Sequence, residues 1–232
     1  VWDYLENSRT PEAYNKIVKG DADIIFVAQP SGGQKKRAKE SGVTLLYTPF
    51  AREAFVFIVN ADNPVNSLTE QQVRDIFSGA ITNWRTVGGN DQEIQTWQRP
   101  EDSGSQTVMQ SQVMKNVRMI SPQETEVASV MEGMIKVVAE YRNTNNAIGY
   151  TFRYYATQMN ADKNIKLLAI NGITPTAENI RNGKYAYIVD AFMVTRENKT
   201  SETQKLVEWF LTPQGQSLVE DVGYVPLYPT ME

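Results

Sequence analysis

The chain has 232 residues, enough for one large domain or two modest lobes, and its 41% hydrophobic and 22% charged residues suit a packed core. A net charge of −4 excludes the broad basic surface that nucleic acid or an anionic membrane would need, while leaving room for one small anion in a pocket. The absence of cysteine and histidine excludes thiol catalysis, disulfides, a Ser-His-Asp triad and most zinc sites, so no metal and no cofactor is expected.

In chain order, "VWDYL" reads as a strand. "SRTPEAYNKIVKG" follows as a helix, with Ser8 or Thr10 as N-cap, Pro11 in the first turn, Ala13, Tyr14, Ile17 and Val18 on one face, and Gly20 as the stop. "ADIIFVA" is a short apolar strand, "SGGQKKRAKESG" a polar helix ending at Gly42, and "VTLLYTPF" another strand. This alternation predicts an α/β fold with mostly parallel sheets flanked by helices. "EAFVFIVN" is the next strand, and Thr69 caps the helix "EQQVRDIFSG", whose apolar face is Val73, Ile76 and Phe77. "EIQTWQ" is a strand, residues 124–141 a long helix interrupted at Gly133, and "AIGY", "IKLLAI" and "YAYIVDAFMV" are further strands. "SETQKLVEWFLT" and "PQGQSLVEDVG" close the chain as two helices.

The long apolar strands at 53–60 and 185–195 bracket a middle section. If both cross between lobes, residues 1–57 with 191–232 form one lobe and 58–190 form an inserted second lobe. The hinge then falls near Val56–Val59 and Ile188–Phe192, and a ligand cleft lies between the lobes.

The most chemical stretch is "WQRPEDSGSQTVM", residues 97–109. A buried oxyanion needs many donors, because its desolvation is costly. Helix-start N–H groups, hydroxyls, a glycine that admits close approach and an arginine fork supply them. Arg99, Ser103, Gly104 and Ser105 offer all four directly after a predicted strand; the other reading is a solvent-facing turn with a serine cap. Ser8, Arg9 and Thr10 repeat the arrangement at an earlier helix start, again with a plain N-cap as the alternative. Asp21 and Asp23 fit a helix-to-strand turn, Trp84 and Trp97 fit packing, and the Tyr150, Phe152, Tyr154 and Tyr155 cluster fits packing beneath the cleft. Lys35, Lys36 and Arg37 make a solvated basic face, with a docking patch as the other reading.

Several phrases together carry a resemblance: "GDADIIF", "REAFVFIVNADNPVNSLTEQQVRDIFSGAITNW", "VGG", "QRPEDSGSQT", "AIGY" and "WFLTPQGQSLVEDVGYVPL". Over essentially the whole chain, the sequence resembles the phosphate-binding proteins of phosphate ABC transporters, two-lobed receptors of the periplasmic-binding-protein-like type II fold. The resemblance implies that Arg99, Ser103, Gly104 and Ser105 hold phosphate, with Ser8 adding a hydroxyl from the first lobe and Arg9 and Thr10 beside it. Two departures stand out. The family's first strand and hydroxyl-bearing loop are absent, a unit of roughly 30 residues. The position of the family's aspartate that accepts a proton from phosphate is taken here by Ala28 or, one residue away, by Gln29, and Asp102 or Glu101 could substitute for it.

The expectation is therefore a non-enzymatic extracytoplasmic receptor that captures an oxyanion, inorganic phosphate first, and delivers it to an ABC transporter permease. Alternatives are a sensing module of the same fold, or a general oxyanion binder with sulfate-like ligands. An enzyme is the weakest reading, without histidine, cysteine, a P-loop or a nucleophile elbow. No nucleic acid is expected. Membrane contact is expected only through the permease or a lost N-terminal anchor, since the amino terminus reads as cut and no stretch reaches the ~18 apolar residues of a span. A cut strand would leave a monomer or a dimer that exchanges strands.

Overall fold

The computed structural model describes residues 5–122, 131–140, 146–159 and 161–231. The strand expected over "VWDYL" lies outside them except for Leu5, which is irregular. Helix α1 (Thr10–Lys19) buries Ala13, Tyr14 and Ile17 and ends at Gly20, whose φ of 90° is left-handed. Its N-cap is Arg9, not Ser8 or Thr10. Glu12 marks Arg9 as the cap: its carboxylate reaches back to accept from the Arg9 backbone N–H at 3.3 Å, the return half of a capping box.

Strand β1 (Ile24–Val27) leads into α2 (Gly32–Glu40), capped by Ser31, and then into β2 (Leu45–Asn60). The two strands expected over "VTLLYTPF" and "EAFVFIVN" are this one strand. Pro49, which has no N–H to give a ladder, sits at a register shift between Pro49 and Ala51 instead of ending the pairing. From Leu45 to Ala54, β2 pairs with β8 (Ile188–Arg196), while β9 (Val225–Pro226) pairs with Ala51 and Arg52. From Phe55 onward β2 changes partners, to β5 (Ala147–Phe152) on one edge and β6 (Ile165–Leu167) on the other. Strand β4 (Gln95–Thr96) extends the sheet beside β5, and β3 (Ser67–Leu68) pairs with β7 (Ala169–Ile170). The "IKLLAI" segment is thus split between two sheets, and Leu168 between them donates its N–H to the Phe57 carbonyl at 2.9 Å.

The expectation of mostly parallel sheets is corrected. Strand β2 is antiparallel to β5, β6, β8 and β9, and among the described residues only β4–β5 and β3–β7 are parallel strand pairs. The strand-helix-strand reading is right about direction, because β1 and β2 are both antiparallel to β8 and so run the same way. What alternation cannot reveal is that a strand from the far end of the chain lies between them. The fold is a mixed-sheet α/β fold with helices on the sheet faces.

The core follows the partner change. Around the second half of β2, residues Ala54 to Val59 are wholly buried, packed with α3 (Glu70–Ser78), α5 (Met131–Glu140) and β5. Thr69 caps α3, and Val73, Ile76 and Phe77 form its buried face, as their spacing requires. The described part of the long helix runs unbroken through Gly133; the rest of 124–141 lies outside the described residues apart from α5. Gly149 allows α5 to sit on β5, since a Cβ there would lie 2.3 Å from the Met134 sulfur. Around the first half of β2, two smaller cores form. One joins α1, β1 and β8; the other joins β2 and β8 to α7 (Ser201–Phe210) and α8 (Pro213–Asp221). Among the described residues no helix is long and apolar enough to cross a membrane.

Candidate functional site

Helix α4 (Gly104–Val108) opens directly after the loop that leaves β4, and it widens into a π-helical turn over Met109–Met114. Ser103 is its N-cap: the hydroxyl accepts from the Gln106 N–H at 3.2 Å and the carbonyl from the Thr107 N–H at 2.9 Å. Gly104 and Ser105 therefore hold the first two helical positions, whose N–H groups have no carbonyl one turn back to bond, and they sit at the positive end of the helix. Ser105 is fully buried, and Arg99 is 7% exposed. The Arg99 Nε donates to the Ser105 hydroxyl at 3.3 Å, which joins the cation to the helix start. Burial lowers the guanidinium's pKa and the Arg9 charge lowers it further, while Tyr150 and Tyr155 oppose both; arginine's high starting value keeps it charged.

Tyr150 fixes the loop from below. Its hydroxyl accepts from the Arg99 backbone N–H at 3.0 Å and donates to the Gln106 side-chain carbonyl. It lies in the core against Phe55, Phe57 and Phe77, so burial pushes its own ionisation upward. The aromatic cluster was expected to pack under the site; its part in orienting Arg99 has no signal in the sequence.

Across from α4 stand α1 and the end of β1. A Cβ on Gly104 would lie 3.2 Å from the Ala28 Cβ and 3.3 Å from the Thr10 hydroxyl. The structure thus brings together Arg99, Ser103, Gly104, Ser105 and Thr10, contributed by two distant parts of the chain. Arg9 is near enough for its charge to act on Arg99, but it is exposed and pairs with Glu12 of its own helix at 3.2 Å. Ser8 is exposed on the segment before α1 and caps nothing.

The carboxylates expected to stand in for the family's aspartate are engaged elsewhere. Ala28 offers the site only a methyl group, and its carbonyl accepts from the Tyr14 hydroxyl at 3.3 Å. Glu101 accepts from the Gln110 amide at 3.1 Å. Asp102 turns toward α2, accepting from the Ser31 hydroxyl at 2.5 Å. The backbone of Asp102 is left-handed, with φ 63°, and its side chain meets the neighbouring helix α2.

Among the described residues the buried charged side chains are Arg99 and Glu53. Glu53 lies at the partner change of β2, where its oxygens accept from the N–H groups of Ala54 at 2.7 Å and Tyr154 at 2.9 Å. Burial raises its pKa to about 7, against those two hydrogen bonds and the Arg153 charge. Beside it, Tyr154 stacks on Tyr224 at 4.5 Å and Arg153 donates to the Gly223 carbonyl at 3.2 Å. Glu53 went unremarked in the sequence although its signal was present: a charge directly preceding the unbroken apolar run "AFVFIV".

The chain as a whole is similar to known proteins. The phosphate-binding protein PstS of Borreliella burgdorferi is 26% identical over 215 residues, covering 91% of this chain and 74% of that protein. PstS of Bacillus subtilis is 28% identical over 170 residues, covering 73% of this chain and 53% of its own length. Among solved structures, an ABC-type phosphate transport receptor from Vibrio cholerae superposes with a TM-score of 0.69 at 24% identity, over 93% of this chain and 84% of that one. The family model described as PBP superfamily domain matches residues 4–214. A match over that span places the chain in the PBP superfamily domain family.

Proposed function

We propose that this protein is an extracytoplasmic solute receptor that binds inorganic phosphate between its lobes and passes it to an ABC transporter permease, without chemistry. The observation that carries the reading is the buried Arg99 bonded to Ser105 at the start of α4, facing Thr10 and Ala28 across a gap so narrow that a Cβ on Gly104 would lie 3.2–3.3 Å from them. Arg99 supplies charge, Ser103 and Ser105 supply hydroxyls, and Gly104 and Ser105 supply backbone N–H groups for a tetrahedral oxyanion. Thr10 closes the site from the other side. Ser8 and Arg9 would take part only by leaving their present positions. The names of the relatives, phosphate-binding proteins and a phosphate transport receptor, support phosphate as the ligand and a transporter as the partner.

The lobe division at 1–57 with 191–232 against 58–190 is supported by the partner change of β2, which falls between Ala54 and Phe55 and shifts the hinge a few residues earlier than Val56–Val59. On the returning chain the matching point is Tyr187, whose carbonyl bonds the Phe55 N–H at 2.9 Å just before β8 begins. Calorimetric titration with phosphate tests the reading through Arg99→Ala. Loss of binding with an unchanged melting temperature supports it, and undiminished binding removes Arg99 from the site.

A further inference from the structure

Resting on the oxyanion-receptor reading, we propose that Asp102 is a latch that holds α2 against the binding loop and couples opening of the cleft to expulsion of the anion. Asp102 directly precedes Ser103, and its left-handed backbone sends the side chain across to α2. There Oδ1 accepts from the Ser31 hydroxyl at 2.5 Å, Oδ2 lies 3.5 Å from the Arg37 guanidinium, and the Asp102 carbonyl accepts from the Gln34 amide at 3.1 Å. Gln34 is itself buried. A Cβ on Gly33 would lie 3.3 Å from Oδ1, so the first turn of α2 keeps space for the carboxylate. A second contact runs alongside, from the Gln29 amide to the Ser111 hydroxyl at 2.8 Å.

These bonds join the same two sides of the cleft as the Gly104 and Thr10 approach, and none of them uses a residue assigned to the anion. They can form only while the sides are together. Their second consequence is electrostatic. An ionised carboxylate beside Ser103 opposes an anion held on the N–H groups of Gly104 and Ser105. While the latch is made, Ser31 and Arg37 draw that charge toward α2. When the sides part, the carboxylate returns to the loop and weakens its hold on the anion. Arg37 is half exposed, so its share is screened and Ser31 carries more of the effect.

The test uses the double variant Ser31→Ala/Arg37→Ala, which removes the partners and leaves the carboxylate. Because the chain has no cysteine, dye labels at Lys39→Cys and Gln71→Cys report the separation of the two sides. Without phosphate, the labels are expected to lie farther apart in the double variant than in the parent. Inorganic phosphate is expected to leave about 10-fold faster, the scale of one charge-assisted hydrogen bond. Asp102→Ala is expected to separate the labels as much but to release phosphate more slowly than the double variant, since the repelling charge is gone. Arg37→Ala alone, which leaves the Ser31 cap intact, gives the same direction of change if the double variant folds poorly. Unchanged label distances in the double variant and in Asp102→Ala overturn the latch, and equal or faster release from Asp102→Ala overturns the coupling. If the parent binds no phosphate, the receptor reading fails, while the label distances still decide the latch.

Discussion

Replacing Glu53 by glutamine should change how stability depends on pH more than it changes stability at any one pH. The carboxyl is buried where β2 changes partners, and its pKa is raised from 4.5 to about 7. A raised carboxyl pKa means that the folded chain binds the proton more tightly than the unfolded chain. The stabilising effect of the proton is therefore present below the unfolded value and is lost as pH rises through the folded one. At ~1.4 kcal/mol per pH unit, the interval from 4.5 to about 7 corresponds to about 3 kcal/mol. Glutamine cannot ionise, so this dependence disappears. It also sets an amide N–H against the Ala54 or Tyr154 N–H, a pH-independent cost of ~1–3 kcal/mol. The measurement is urea unfolding of both proteins at about pH 5 and about pH 8, taking the difference between them at each. The parent should lose about 3 kcal/mol relative to the variant between the two conditions. A difference that stays flat would refute the assignment of a raised pKa to Glu53.

Three other outcomes follow from distances in the structure. Gly104→Ala should hold or raise the melting temperature, because alanine gains ~1 kcal/mol of helix propensity, yet weaken phosphate binding about 10-fold, because its methyl meets Ala28 and Thr10 when the sides approach. Calorimetric titration beside a thermal melt separates the two effects. Tyr150→Phe removes the partner of the Arg99 N–H and of the Gln106 carbonyl, and should cost about 2 kcal/mol in denaturant unfolding while loosening phosphate binding. Gly149→Ala should cost ~1–3 kcal/mol through its clash with Met134, and leave phosphate affinity unchanged in the same titration.

Local elements were legible because each rests on neighbouring residues. Thr69, the Val73, Ile76 and Phe77 stripe and Gly79 define α3 without outside help, and Ser103 with the glycine after it marks the start of α4. The order and direction of strands were not legible, because they depend on where β8 (Ile188–Arg196) inserts, far along the chain from β1 (Ile24–Val27). Pro49 looked like a strand end because the bulge that accommodates it is set by pairing with β8. In the site, Arg99, Ser103, Gly104 and Ser105 share one short loop and were found together. Thr10 was named with Ser8 and Arg9, but only the fold separates the residue that faces Gly104 from the two that do not. Asp102 could not be assigned from sequence, since its direction depends on a single left-handed backbone angle.

The central claim is tested most directly by calorimetric titration of the protein with inorganic phosphate, with sulfate as the control, repeated on Arg99→Ala. The account predicts one phosphate per chain, and loss of phosphate and of any sulfate binding in the variant. Absence of phosphate binding in the parent, or binding that survives the loss of Arg99, would contradict it.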